Sequence, residues 1–140
     1  MGKILCAIRG GEGSYPTQDA AIALARERGD ELVFLYVVDV SFLNQTAAPL
    51  VVDVDAALEK MGRFQLAMAQ ERAAAQGVEA HVASRTGRLR PELVAAATEL
   101  GVELIVLGRP LGETAVFEQA TLQAFAAILQ SETDADVLIL

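Results

Sequence analysis

The fold is determined by the stretch GVELIVLG, residues 101–108. A glycine that ends a helix is followed there by a Glu-Leu pair and a short apolar strand. Residues 29–35 read GDELVFL and repeat this order of glycine, glutamate and buried strand. The repeat indicates that one kind of helix-to-strand connection is used twice, which is typical of sheets whose strands alternate with helices.

Apolar and helical patterns alternate along the chain. Four continuous apolar runs predict strands that are covered on both faces, at residues 4–8, 32–38, 104–107 and 137–140. An alternating run at residues 78–83 predicts a strand near a sheet edge. Helical periodicity occurs at about residues 16–28, 53–76, 91–101 and 115–130. The order β-α-β-α-β-α-β-α-β predicts a doubly wound α/β fold with a five-stranded parallel sheet, in a single domain over residues 1–140.

The composition argues against several classes of function. The chain of 140 residues has 11 Lys and Arg against 19 Asp and Glu, a formal charge of −8. This balance argues against a nucleic-acid or an anionic-membrane partner. No apolar run approaches the roughly 20 residues of a membrane span, and the N-terminus shows no signal-peptide pattern. The single cysteine, Cys6, lies in an apolar run, which predicts a buried thiol in a cytoplasmic protein.

Two glycine-bearing loops form the predicted binding site. In open α/β sheets, ligands bind at the carboxyl ends of the strands, where the strand order reverses. The loops expected there read RGGEGS from Arg9 and GRPLGET from Gly108. Arg9 and Arg109 predict a site for phosphate or carboxylate, because backbone N–H groups, a helix N-terminus and two guanidinium groups all favour an anion. The alternative is that the glycines only make tight turns and that Arg9 pairs with Asp39.

Three other features are interpreted as structural. Arg85, Arg88 and Arg90 form a basic cluster that we interpret as solvated loop charge. His81 lies in the alternating strand with no second metal ligand nearby, and we expect it to face solvent. One apolar stripe of the long helix is predicted to face the core, and it comprises Val54, Ala57, Met61, Phe64 and Met68.

Several segments share the pattern of one protein family. They are KILCAI at residues 3–8, the second strand after Gly29, Gly87 before the third helix, ELIVLG at residues 103–108, and the apolar last strand. Together they resemble the universal stress protein family. The resemblance implies a Rossmann-like, adenine-nucleotide alpha-hydrolase-like fold with strand order 3-2-1-4-5. It also implies a cytoplasmic role in the stress response and a homodimer formed through the last strand.

The resemblance also implies a nucleotide site, but its motif is incomplete. The ATP-binding branch of the family carries an aspartate after the first strand, where this chain has Arg9. That branch also has Gly-x-x-Gly followed by a later glycine; Gly108 matches the first glycine, Leu111 replaces the second, and Gly112 comes one place late. Residues 117–123 contain no glycine. The implied site is therefore degenerate, with no firm cofactor and with ATP, AMP or another anion as candidate ligand. Its residues are Ile8, Arg9, Gly10, Val37, Gly108, Arg109 and Gly112.

Two functions are compatible with these patterns. The first is a non-catalytic regulatory or binding module that forms a homodimer. Its dimer contact is predicted to consist of the last strand, which is apolar and lacks protecting charges, and of the helix that precedes this strand. The strand residues are Val137, Leu138, Ile139 and Leu140. The alternative is an ATP-binding or ATP-hydrolysing member of the PP-loop, ATP-pyrophosphatase-like superfamily. The phosphate loop of that superfamily resembles residues 9–14, although Arg9 replaces its serine and Gly13 its aspartate.

Overall fold

The computed structural model describes residues 2–8, 15–38, 51–108, 115–133 and 135–139, with the backbone alone described at residues 51–56, 58, 89 and 115–122. The elements along these residues are β1 Lys3–Ala7, α1 Tyr15–Arg28, β2 Glu31–Val38, α2 Val51–Ala75, β3 Ala80–Thr86, α3 Leu89–Leu100, β4 Leu104–Leu107, α4 Ala115–Glu132 and β5 Asp136–Ile139. The strands form one parallel sheet in the order β3-β2-β1-β4-β5. The predicted five-stranded parallel sheet and its strand order are confirmed.

The central strands β1 and β4 are buried on both faces. Ile4, Cys6 and Val106 point into a core beneath α1 and α2, and they have no solvent-exposed surface. Leu5 and Ile105 point into a second core beneath α3 and are equally inaccessible. A strand that is covered on both faces needs an apolar side chain at every position. This double burial explains why both runs are apolar without alternation.

Three of the described helices end in the same way. Gly29, Gly77 and Gly101 adopt left-handed φ angles of 69°, 79° and 66°, which are strained for residues that carry a Cβ. The residue after each glycine donates its N–H to a buried alanine carbonyl five positions earlier. The pairs are Asp30 to Ala25 at 3.1 Å, Val78 to Ala73 at 2.9 Å and Val102 to Ala97 at 3.2 Å. This is the Schellman arrangement, and the connection predicted at Gly29 and Gly101 occurs a third time at Gly77.

The glutamate that follows two of these glycines starts the sheet. Glu31 donates its backbone N–H to the carbonyl of Gly2 at 3.0 Å, and Glu103 donates to the carbonyl of Lys3 at 2.9 Å. The two bonds attach β2 and β4 to opposite sides of β1. The Gly-x-Glu tripeptide therefore ends a helix and sets the register of the next strand within three residues.

The core-facing side of α2 differs from the predicted one. Met61 and Phe64 are 53% and 63% exposed, Ala57 is exposed and Met68 is half-buried. The buried positions of α2 are instead Gly62, Leu66, Ala69 and Ala73. The prediction that Met61 and Phe64 face the core is wrong, and the side chain of Val54 lies outside the described residues.

The reason lies in how closely α2 approaches the sheet. A Cβ on Gly62 would lie 2.6 Å from Cδ1 of Tyr36 in β2, which is closer than two carbon atoms can pack. At this distance no side chain fits between helix and sheet at residue 62, and two of the other three inward positions are alanines. The small residues therefore face inward, and the larger Met61 and Phe64 point towards solvent.

The third strand lies at a sheet edge, as predicted, but it is longer than expected. It continues to Thr86, so that Ser84 and Arg85 belong to the strand and not to a loop. His81 is exposed, as predicted. The following helix α3 begins at Leu89 and not at Pro91.

The last helix covers the second core with one apolar stripe. Leu129 is fully buried and Phe125 packs against the same cluster, whereas Ala124 is exposed and Ile128 half-buried. Within the described part of the chain, no helix combines the length and the apolar character needed to cross a bilayer.

Burial of Cys6 gives the first prediction, because it raises the pKa of the thiol to about 12. We expect the native protein to react with a thiol reagent at least about a thousandfold more slowly than the unfolded chain, since the thiolate forms only on unfolding. An unfolded cysteine has a pKa of about 8.5. The contribution of the protonated thiol to stability is therefore present below that pH and declines as the pH rises towards 12.

The measurement is absorbance-detected labelling with an aromatic disulfide, with and without urea. The unfolded chain in urea serves as the control for the intrinsic rate. Rapid stoichiometric labelling of protein whose circular dichroism is unchanged would contradict the burial of β1.

Candidate functional site

The sheet has its switch point between β1 and β4. These strands are neighbours although about one hundred residues of sequence separate them, and β1 pairs with β2 on its other side. The register of Cys6 with Val106 places the next outgoing residues, Ile8 and Gly108, opposite each other. Ligands of doubly wound folds bind at such a point. The predicted binding edge therefore lies where Ile8 and Gly108 leave the sheet.

Apolar side chains form most of the described part of this edge. Ile8 is buried, and its N–H donates to the carbonyl of Leu35 at 2.9 Å. Leu107 is also buried, and Val37 is half-buried against the core beneath α3. The predicted contacts Ile8, Val37 and Gly108 thus lie at one edge, at the ends of three neighbouring strands.

Gly108 lies against the first turn of α1. A Cβ on Gly108 would approach Oγ1 of Thr17 to 2.9 Å and Cβ of Thr17 to 3.6 Å. Thr17 and Gln18 are the buried polar residues of the described part of the chain. The hydroxyl of Thr17 therefore adds a polar group to an apolar edge, and the missing side chain of Gly108 leaves room for it.

Thr17 was not selected from the sequence as a site residue. It lies four and eight positions before Ala21 and Ala25, two residues that are buried on the core face of α1. This spacing places Thr17 on the same face of the helix. The signal was therefore present, but contact with Gly108 depends on the pairing of β1 with β4 and is not visible in the sequence.

An ion pair holds the first turn of α1 in place. Arg72 of α2 donates from Nη2 to both carboxylate oxygens of Asp19, each at 2.7 Å. Its guanidinium also lies 4.3 Å from the centroid of the Tyr15 ring. A charge-assisted contact combined with a cation–π contact restricts both helices. Arg72 thus fixes the end of α1 that carries Thr17.

Four predicted site residues lie outside the residues that the structure describes. They are Arg9, Gly10, Arg109 and Gly112, and Asp39 lies outside as well. The anion site at Arg9 and Arg109 and its alternative, an ion pair between Arg9 and Asp39, both stay predictions. Among the described residues, no group of three or more His, Cys, Asp or Glu could hold a metal ion.

Two of the three arginines in the basic cluster form ion pairs with helices of the fold. Arg85 lies in β3 and donates to Glu92 and Glu99 of α3, both at 2.9 Å. Hydrogen bonds to Glu92 and then Glu99 raise the pKa of Arg85 further above its ordinary value. Arg90 donates to a glutamate of α4 at 2.8 Å. The interpretation as solvated loop charge is therefore wrong for Arg85 and incomplete for Arg90, while Arg88 is exposed.

The same arrangement of strands and helices occurs in known proteins. Residues 1–113 match the model of the universal stress protein family. The chain belongs to the universal stress protein family. It is 32% identical to universal stress protein YxiE of Bacillus subtilis, over 76% of this chain and 77% of that protein.

Solved structures of universal stress proteins share the fold. One was determined in complex with cAMP; it is 20% identical, has a TM-score of 0.72, and the match covers 99% of this chain and 96% of that chain. Another, from Archaeoglobus fulgidus, was determined in complex with dAMP; it is 14% identical, with a TM-score of 0.67 and coverage of 99% and 97%. At these identities the likeness concerns the fold of the universal stress proteins.

The contact between Gly108 and Thr17 gives the second prediction. Gly108→Ala should lower the free energy of unfolding by about 1–3 kcal/mol, because the new methyl group meets Oγ1 of a buried side chain. Adding Thr17→Ala should recover most of this loss, since the nearest remaining atom of residue 17 then lies 3.6 Å away. Urea unfolding of both single variants and the double variant measures the coupling.

Thr17→Ser is the matched control for this cycle. It keeps Oγ1 and should therefore fail to rescue Gly108→Ala. Equal stability of Gly108→Ala and wild type, or equal rescue by Ser and Ala, would refute the contact.

Proposed function

We propose that this universal stress protein is a non-catalytic regulatory or binding module with a degenerate nucleotide site. The observation that carries the proposal is a mismatch between two halves of one edge. The half that would receive a base is built from Ile8, Val37, Leu107 and Gly108. The half that would receive phosphates departs from the family's ATP motif at Arg9 and Leu111.

The described edge suits a flat, largely apolar group. Ile8 and Leu107 provide a buried floor, and half-buried Val37 leaves part of its surface accessible. The relatives solved with cAMP and dAMP both hold an adenine nucleotide. An adenine ring gains free energy from apolar contact on its face and from polar contacts at its edge. These features support an adenine-type ligand for this chain.

The sequence of the loops argues against tight binding of a triphosphate. Phosphate-binding loops use glycine where the backbone must approach an oxygen closely, because a Cβ would occupy that space. Leu111 stands at such a position of the motif, and residues 117–123 provide no later glycine. Arg9 and Arg109 could still attract a monophosphate or another anion. The proposal therefore favours a small anionic ligand, such as AMP, over ATP.

The proposed module acts in the stress response and resides in the cytoplasm. Support for this location comes from a single cysteine that is buried in β1 and free. A protein that folds without disulfides is suited to a reducing compartment.

The loop sequences give the third prediction, which concerns nucleotide affinity. Isothermal titration calorimetry should show ATP bound no more than about tenfold more tightly than adenosine, because the β- and γ-phosphates find no glycine-rich loop. The double variant Arg9→Asp with Leu111→Gly restores two motif positions and should increase the affinity for ATP relative to adenosine. A wild-type dissociation constant for ATP near 1 μM, about −8 kcal/mol, would overturn the degenerate site.

We also infer that the protein is a homodimer through its last strand. β5 lies at one edge of the sheet, and Val137, Leu138 and Ile139 are half-buried. Leu138 packs against the core beneath α1, and Val137 and Ile139 pack against the opposite core. An edge that is apolar on both faces favours association with a second edge. Leu140, the fourth residue of the proposed interface, lies outside the described residues.

The backbone of β5 is also available for pairing. The N–H of Asp136 donates to the carbonyl of Glu103 at 2.9 Å, so that alternate residues starting at Asp136 face β4. Val137 and Ile139 consequently direct their N–H and C=O groups away from the sheet. A second β5 strand can satisfy them by continuing the sheet across a two-fold axis.

The fourth prediction tests this dimer. Replacing Leu138 and Leu140 with Lys, or Val137 with Pro, should weaken association by at least about tenfold. Val137→Pro removes an N–H that faces away from β4 and also the valine contact with the core. Val137→Ala loses the same contact but keeps the N–H, so it is the control, and circular dichroism checks that both variants keep the fold. Sedimentation velocity at tens of micromolar gives the mass. A wild-type chain that sediments as a monomer would contradict the dimer.

A further inference from the structure

The strand β3 forms the edge of the sheet opposite to β5. It has seven residues, and its register with β2 runs without interruption from Ala80 to Thr86. Val82, near its middle, is 42% exposed and is one of the large apolar side chains that the fold leaves in solvent. This edge is separate from the proposed nucleotide site and from the proposed β5 interface.

Two hydrogen bonds show which backbone groups of β3 face outward. The N–H of Gly87 donates to the carbonyl of Val38 in β2 at 2.9 Å, so that odd-numbered residues of β3 face β2. The carbonyl of Ala80 accepts from Nε2 of Gln70 at 2.7 Å, so that even-numbered residues face away from β2. In a parallel strand the N–H and C=O of one residue point to the same side and alternate along the strand.

The outward groups therefore belong to Ala80, Val82, Ser84 and Thr86. Gln70 caps the carbonyl of Ala80. Within the described ranges, the outward N–H and C=O groups of Val82, Ser84 and Thr86 have no hydrogen-bond partner in the protein. Three consecutive outward residues thus present donors and acceptors in the spacing that a further strand requires.

The usual protections against strand pairing are missing from β3. The strand contains no lysine and no proline, and its register has no bulge. Its charged residue, Arg85, is turned towards α3 by Glu92 and Glu99 and does not extend across the edge. The edge is therefore open for pairing.

We propose that β3 pairs with β3 of a second copy of this chain, antiparallel, about a two-fold axis at Ser84. In this register Ser84 faces itself and Val82 faces Thr86 of the second copy, so that outward groups meet outward groups on both strands. Val82 and Thr86 are both β-branched, and such cross-strand pairs stabilise antiparallel sheets. The pairing makes six backbone hydrogen bonds by symmetry, since each of the three facing pairs exchanges two.

Charge complementarity favours a second copy as the occupant. Glu79 precedes the strand and Arg88 follows it, and both are exposed. Neither side chain makes an ion pair among the residues that the structure describes. An antiparallel pair about Ser84 brings Glu79 of each copy towards Arg88 of the other, whereas a parallel pair would bring like charges together. The two opposite charges flank the axis at nearly equal distances along the chain.

The proposed β3 contact is independent of the proposed nucleotide site and of the β5 dimer. Because β3 and β5 lie at opposite edges, a chain that uses both can join a third and a fourth copy into a continuous sheet. Two different two-fold contacts on one protomer generate an open row and not a closed dimer. The wild-type mass should therefore continue to rise above that of a dimer with concentration.

Sedimentation velocity of the full-length chain in the Val137→Pro background tests the proposal without the β5 contact. We expect a monomer–dimer equilibrium that is visible by about 100 μM. Adding Ser84→Pro should weaken it by at least about tenfold, because the ring replaces an outward N–H without breaking a bond to β2. Adding Ser84→Thr instead keeps the N–H and should leave the equilibrium unchanged. A monomer throughout this range, or association that Ser84→Pro does not alter, would overturn the proposal, and an extended segment of a different protein would then be the remaining occupant.

A charge exchange tests the register even where the proline variant is poorly folded. Glu79→Arg alone and Arg88→Glu alone should each weaken association by about tenfold at low salt, because each places like charges on both sides of the axis. The double exchange should restore wild-type association, since the opposite charges again meet. Additive weakening in the double variant would exclude the two-fold register. If wild type and Val137→Pro associate equally, the β5 dimer fails, and the Ser84 and charge variants still decide the β3 contact.

Discussion

The pairing of β1 with β4 is the contact on which the rest of the structure depends. Both strands are covered on each face, and their central side chains are inaccessible to water. Helices must therefore lie on both sides of the sheet, and the connections from β1 and β4 must leave in opposite directions. The carboxyl ends of β1 and β4, at Ile8 and Gly108, therefore form the switch point of the sheet. The position of the candidate binding edge is thus a consequence of strand order.

Two glycines allow close contact between backbone and side chain where helices pack on the sheet. Gly62 lets α2 lie on the ring of Tyr36, and Gly108 lets the sheet edge lie on Thr17. Protein interiors have no space to absorb an extra methyl group at such distances. The two glycines therefore determine how near α2 and α1 come to the sheet. Gly62 shapes the core, and Gly108 shapes the candidate binding edge.

The fold could be predicted from the sequence largely because its signals are local. Continuous apolar runs identified β1 and β4, and the Gly-x-Glu pattern identified two helix-to-strand connections. The third connection was missed because Ala80, and not leucine, follows Glu79. The core-facing side of α2 was predicted wrongly because the large apolar side chains of Met61 and Phe64 were assigned to the core. Smaller residues of α2 face the sheet instead.

The candidate site was less accessible to prediction because its contacts join distant parts of the chain. Gly108 followed from the expected strand ends, whereas Ile8 and Val37 were implied by the resemblance to the universal stress protein family. Thr17 meets Gly108 across 91 residues of sequence, and Arg85 meets Glu92 and Glu99 only once β3 and α3 are packed. Such contacts leave no periodic trace in the sequence. They become visible only when the register of the sheet is known.

The Gly-x-Glu connections have a consequence for how this fold diversifies. They hold the amino edge of the sheet at a fixed length, because the helix ends and the strand pairs within three residues. An insertion there would break the attachment of β2 or β4 to β1. Differences in length among relatives are therefore expected elsewhere in the chain, while the two Gly-x-Glu connections keep their spacing.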